Sequence, residues 1–190
     1  MYKPFEDGIE VIGTSIFSVI SSLPSIPFIV EKYFQEVGLP IPAELNHNEW
    51  YSQEKWLKIF KVISDKAGPN TLLNIGKKIP ENALFPKEIN SLEEALLSID
   101  IAYHMNHRNS TGQVLYDNNV KLEGIGHYLY IKNENEHFPK MVCENPYPCD
   151  FDRGIITAMA QKYEPDAVIL HSSKECRKDG FNSCTYTIRW

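Results

Sequence analysis

Residues 143–149 read C-E-N-P-Y-P-C, residues 150–163 read D-F-D-R-G-I-I-T-A-M-A-Q-K-Y, and residues 176–184 read C-R-K-D-G-F-N-S-C. This stretch decides the fold. Phe151, Ile155, Met159 and Tyr163 fall one turn apart, so 150–163 is a helix with one apolar face. On either side lie short runs of strand-forming residues: Lys140 to Glu144 before it, Asp166 to Ser173 and Cys184 to Trp190 after it. Upstream, Val114 to Tyr116 and Lys121 to Lys132 have the same texture, with Gly124 and Gly126 marking a bend or bulge in the second. The order is β-β-β-α-β-β.

Before Gly112 the period changes to that of helices. Ser25, Ile26 and Pro27 form a start signal, and Gly38 with Pro40 a stop signal. Trp56, Ile59, Phe60 and Ile63 make a helical stripe within Gln53 to Lys66, and Pro69 opens a shorter helix expected to end before Pro80. Ser91 and Glu94 form a capping box ahead of the stripe Leu92, Leu96, Ile99 and Tyr103. The expected fold is α+β, with N-terminal helices (1–110) packed on an antiparallel sheet (111–190) in a single ligand-binding domain over 1–190.

The 190 residues suit one domain, and 43% hydrophobic and 12% aromatic residues are enough for a packed core. A formal net charge of -6 with no basic run argues against nucleic acid as a partner. Met1 to Asp7 lacks the order of a signal peptide. The apolar stretch Ile9 to Ile20 is interrupted by Glu10, Gly13, Thr14 and Ser15 and is too short to span a bilayer. The expectation is a cytoplasmic protein, not membrane-bound, with cysteines reduced or metal-bound rather than bridged.

The only cysteines are Cys143, Cys149, Cys176 and Cys184, two pairs on two loops. Facing pairs can direct four sulfurs at one tetrahedral ion, and a site of four sulfurs leaves no open position for chemistry. Cys149 opens a helix, where unpaired amides favour a thiolate. Gly180 permits a left-handed turn that lets Cys176 and Cys184 converge, while Lys174, Arg177 and Lys178 offset the charge. The expectation is one structural zinc ion; buried free thiols and disulfides are the competing outcomes.

Other candidates are weaker. His104 and His107, one turn apart near a helix end, could bind a metal or supply a haem ligand, although cations are favoured there in any case. Tyr128 and Tyr130 share one face of a strand and either stack on a ligand or pack in the sheet. His171 is a reserve metal ligand. Asp150 and Asp152 read as first-turn caps rather than an acid pair. No catalytic constellation or phosphate loop is present, which points away from an enzyme.

The order Cys149, Gly154, strand, Cys176-x-x-x-Gly180-x-x-x-Cys184, strand resembles the vinyl-4-reductase domain over the C-terminal third of the chain. That domain shares a superfamily with haem-NO-binding domains and vesicle-tethering TRAPP subunits. The resemblance implies a sensor of a hydrophobic or aromatic molecule, with zinc between the helix-opening cysteine and the loop cysteines. The family's glutamate three residues before the first loop cysteine is Ser173 here, with Glu175 adjacent to Cys176, so Cys143 is the candidate replacement ligand. The ligand pocket is expected between helices and sheet, with Tyr103, His104 and Tyr128 as its contacts. Haem ranks behind zinc, because the Tyr-x-Ser-x-Arg motif of the haem-binding relatives is missing. Readout would pass through a homodimer or an output domain, since the chain ends directly after its last strand. The alternatives are a haem-based gas sensor, an assembly module without ligand, and a reductase-like enzyme suggested by the family's name.

Overall fold

The computed structural model describes residues 1–23, 27–117, 119–134 and 136–190; the start signal at Ser25 and Ile26 lies outside them. The chain enters through β1 (Glu10–Ile12), α1 (Gly13–Ser21) and α2 (Pro27–Val37), which ends where Gly38 takes a positive φ of 68°. After β2 (Trp50–Ser52) comes α3 (Gln53–Asn82), bent at Gly68, where φ is 74° and ψ 170°. Pro69 restarts the helix, as expected. Pro80 does not end it: the helix runs to Asn82. In the last turn a proline forfeits about one hydrogen bond, and the burial of Leu72, Ile75 and Ile79 holds that half in place.

Ser91 caps α4 (Leu92–Met105) by accepting the Glu94 amide at 3.2 Å, and the Glu94 carboxylate accepts the Asn90 amide at 2.7 Å. β3 (His107–Arg108) follows at once and completes a three-stranded antiparallel sheet in the order β2-β1-β3. The sequence pattern did not reveal this sheet. Strands of two or three residues are too short to display a period of two.

The expected antiparallel unit is present. β4 (Tyr116–Asp117) and β5 (Val120–Lys121) form a small hairpin. The predicted strand from Lys121 to Lys132 is broken, with Gly124 at φ 119° and Gly126 at φ 78° turning the chain before β6 (His127–Ile131). A Cβ on Gly126 would collide with the Glu144 carbonyl, so glycine is required there. β7 (Lys140–Glu144), α5 (Cys149–Gln161), β8 (Val168–His171) and β9 (Cys184–Arg189) complete a four-stranded sheet ordered β6-β7-β9-β8. Tyr128, Met141, Cys143, Tyr186 and Ile188 are buried on its inner face. Among the described residues, no helix is long and apolar enough to cross a membrane.

The helical half meets this unit through two glycines. Gly76 of α3 and Gly154 of α5 lie back to back. A Cβ on the first would strike the Phe151 carbonyl oxygen, and one on the second the Leu73 carbonyl oxygen. Backbone contact this close draws α3, α4 and α5 around one interior.

Candidate ligand chamber and thiol cluster

A cavity of about 60 Å³ lies where β1, α1, α3, α4 and α5 meet β6. Its wall is mostly apolar and includes Val11, Trp56, Phe60, Phe151 and Ile155, with Tyr103, Tyr128, Tyr147 and His107 beside them. Tyr103 and Tyr128 meet edge to face, with ring centroids 5.3 Å apart. Both hydroxyls are spent elsewhere: Tyr103 donates to the Ile125 carbonyl at 2.7 Å and Tyr128 to the Asp152 carboxylate at 2.6 Å. The rings therefore present carbon to the chamber. Tyr130 is only half-buried and does not reach it.

His107 is the imidazole of the wall. Its Nδ1 lies 2.7 Å from the Tyr103 carbonyl oxygen, so that nitrogen carries the hydrogen. Nε2 keeps its lone pair, 3.0 Å from the Tyr147 hydroxyl. Burial lowers its pKa to about 4, against the pull of the carbonyl, so the imidazole is neutral at physiological pH. His104, the other expected contact, is not part of this wall. Its Nδ1 lies 2.8 Å from the Asp100 carbonyl oxygen, and its ring stacks on His127 at 5.1 Å. The two helix-end histidines thus part company, because β3 begins between them and the chain leaves the helix.

Three of the four cysteines converge. Sγ of Cys149 lies 3.2 Å from Cys184 and 3.7 Å from Cys176, and the last two are 3.8 Å apart. The Cys149 S–H and the Arg177 amide hold Cys184 down towards the thiolate; the same shared proton, together with burial, pushes the Cys149 thiol up. The expectation of Cys143 as the fourth member fails. It pairs in register with Cys184 across β7 and β9, yet its sulfur is not within 4.8 Å of the other three. The strand places it under Tyr128 in the core, where burial pushes its thiol pKa well up. His171 does not come within 4.8 Å of all three sulfurs, although its ring also lowers the Cys184 pKa; it packs edge to face on Tyr186 at 5.3 Å.

Between chamber and thiols runs a buried polar chain that the sequence did not announce. Asp152, read as a cap, is fully buried and receives the Tyr128 hydroxyl, the Asn145 amide at 3.2 Å and the Arg177 guanidinium. Burial pushes its pKa up to about 6 against the pull of Arg177, Tyr128 and Asn145. Arg177 also donates to the Asn145 side chain at 2.7 Å. Asp150, by contrast, stays near the surface, paired with Lys178 at 2.5 Å.

Neither a protein-family model nor a curated protein matches the sequence. The fold has close counterparts among solved structures. The chain is similar to an H-NOX protein from S. oneidensis in the Fe(II)NO ligation state, at TM-score 0.61 and 14% identity, covering 94% of this chain and 98% of that one. It is also similar to an oxygen-binding H-NOX domain related to soluble guanylate cyclases, at TM-score 0.57 and 16% identity, covering 93% and 91%. A third is a protein studied for haem redox potential tuned by porphyrin distortion, at TM-score 0.58 and 16% identity, covering 94% and 99%. The ranking of structural zinc ahead of haem is corrected by the third of these and by another similar structure, from work on haem distortion in the H-NOX family. The vinyl-4-reductase name finds no support; what the likeness shows is the fold, and this chain has the H-NOX fold.

Proposed function

We propose that residues 1–190 act as one sensory ligand-binding unit, and that its ligand occupies the chamber beside His107. The observation that carries this reading is the state of that imidazole. It is buried and neutral, its Nδ1–H is tied to a backbone carbonyl, and its Nε2 lone pair meets a single hydroxyl. This is how a protein prepares an imidazole to ligate a metal. With the H-NOX fold around it, haem is the leading ligand, and His107 is the residue that would hold the iron. Bound haem would supply an iron able to take a diatomic gas. Trp56, Phe60 and Phe151 offer apolar rings to its faces and exclude water.

The volume supports a second reading. At about 60 Å³ the chamber is small for a ligand pocket. Ligand pockets start at roughly 300 Å³, so a porphyrin requires a wider chamber than this one. An apolar molecule much smaller than a porphyrin requires far less widening. In either case a sensor hands its signal to a second copy or an output domain, which sedimentation with and without ligand would reveal.

Titration with hemin separates the two readings. Haem binding gives a saturable Soret band at one haem per chain, lost or shifted in His107→Ala. No specific band in the wild type refutes the haem reading, and a melting-temperature shift with a small apolar compound such as indole then supports the other.

A further inference from the structure

On the opposite side of α4 from the chamber is a second group of metal-ligand side chains. Asp100 and His104 stand one turn apart on the helix and face His127 at the start of β6. The Asp100 carboxylate accepts the Tyr128 amide at 2.8 Å, lies 3.3 Å from His127 Nδ1 through each oxygen, and pairs with the Lys121 ammonium. His127 Nε2 lies 2.9 Å from the Glu123 carboxylate. His104 is 0% exposed, and with Nδ1–H given to the Asp100 carbonyl its Nε2 has no hydrogen-bond partner among the described residues. An orphaned buried nitrogen costs stability unless something fills its lone pair. One ligand atom each from Asp100, His104 and His127 lies within 4.8 Å of the others.

We propose that Asp100, His104 and His127 form a binding site for one divalent transition-metal ion of the Mn(II) or Fe(II) class, with the Glu123 carboxylate holding His127 from its other nitrogen. Two imidazoles and a carboxylate are the donor set such ions take. The tautomer of His104 is the one a ligating histidine has, fixed by a carbonyl on the other nitrogen. Asp100 and His104 come from one helix face and His127 from a strand, so the donors approach from two elements. Charge is suitable as well. Two carboxylates face one lysine, and the Lys121 side chain, 38% exposed, can withdraw to solvent when a divalent ion replaces it. Half-buried His127 and exposed Glu123 provide the way in. Metal–ligand bonds of roughly 2 Å bring donor atoms to about 3 Å apart, so the site contracts slightly on binding. The thiol cluster lies elsewhere, and none of Asp100, His104, His127 and Glu123 lines the chamber, so the site is tested without haem.

The competing account is that Lys121, Asp100 and His127 are only an internal ion network. Mn(II) is the probe, because thiolates have little affinity for it and Cys149, Cys176 and Cys184 do not interfere. Free Mn(II) is followed by electron paramagnetic resonance during titration of the full chain. Lys121→Ala removes the competing ammonium from a partly exposed position and is expected to tighten binding at least tenfold. His127→Gln is expected to weaken it at least tenfold at unchanged stoichiometry of one per chain. Absence of bound Mn(II) in both the wild type and Lys121→Ala, or failure of either substitution to move the affinity in the stated direction, overturns the proposal. Thermal melting of each variant confirms that it is folded.

Discussion

A buried neutral imidazole makes this protein acid-sensitive, and the effect can be isolated. His107 holds its proton only below a pKa of about 4 when folded, against the ordinary value of 6.5. The unfolded chain therefore binds more protons than the folded one between those two values, and stability falls as the pH falls through that window. At 1.36 kcal/mol per pH unit the gap is worth ~3 kcal/mol, a large share of the 5–15 kcal/mol that holds a typical domain folded. Above pH 6.5 the contribution is fully present; below about pH 4 it is lost. His107→Gln removes the titration and keeps an amide that can donate to the Tyr103 carbonyl. It should lower stability by a roughly constant ~1–2 kcal/mol through the imperfect replacement, and flatten the acid slope. Urea unfolding of both proteins at several pH values from 8 to 4 reads the difference, since His104 and the carboxylates titrate in both. A wild-type curve that steepens by ~3 kcal/mol relative to the variant supports the reasoning. Two parallel curves would show that His107 accepts a proton freely in the folded state, and the case for a prepared lone pair would go with it.

Three further outcomes are expected. Gly154→Ala drives a methyl into the Leu73 carbonyl and should cost ~3 kcal/mol or more, read as a fall in melting temperature of roughly 6 °C or more. Arg177→Met leaves the buried Asp152 carboxylate without its cation and should cost ~3–5 kcal/mol in urea unfolding at pH 7, whereas a loss under 1 kcal/mol would show that Tyr128 and Asn145 suffice. Under limiting thiol reagent, peptide mass spectrometry should find half-buried Cys176 labelled first and the fully buried Cys143 last, only as the chain unfolds.

The C-terminal half was legible because its signals are strong and local. The stripe Phe151, Ile155, Met159 appears as the buried face of α5, and K-M-V-C-E as β7 with the expected ends. What the sequence hid depends on contacts between distant segments. No period marks β1, β2 or β3 in two or three residues, and their pairing is what seats His107. The chamber's histidine carried no helical signal either: α4 ends at Met105 and His107 already belongs to β3, so helical spacing from Tyr103 does not apply to it. Tyr147 gave no such signal, since it lies in a Pro-Tyr-Pro turn outside any repeat. Cys143 failed as a fourth cluster member for the reason that register is invisible in one sequence: it faces Cys184 across the sheet, while Cys149 reaches Cys184 from the helix end. Asp152 looked like a cap because it stands in the first turn of α5, and only the return of Arg177 from a distant loop reveals it as half of a buried pair.

The central claim is that the chamber beside His107 takes the ligand. Ala102 lines it from α4, and Ala102→Leu adds three carbons to a space of about 60 Å³. Calorimetric titration of hemin and of indole into the wild type and into Ala102→Leu tests the claim most directly. The account predicts that at least one of the two binds the wild type at one per chain and is lost in the variant, which remains folded by thermal melting. Binding equally strong in both proteins, or no binding of either compound to the wild type, would contradict it.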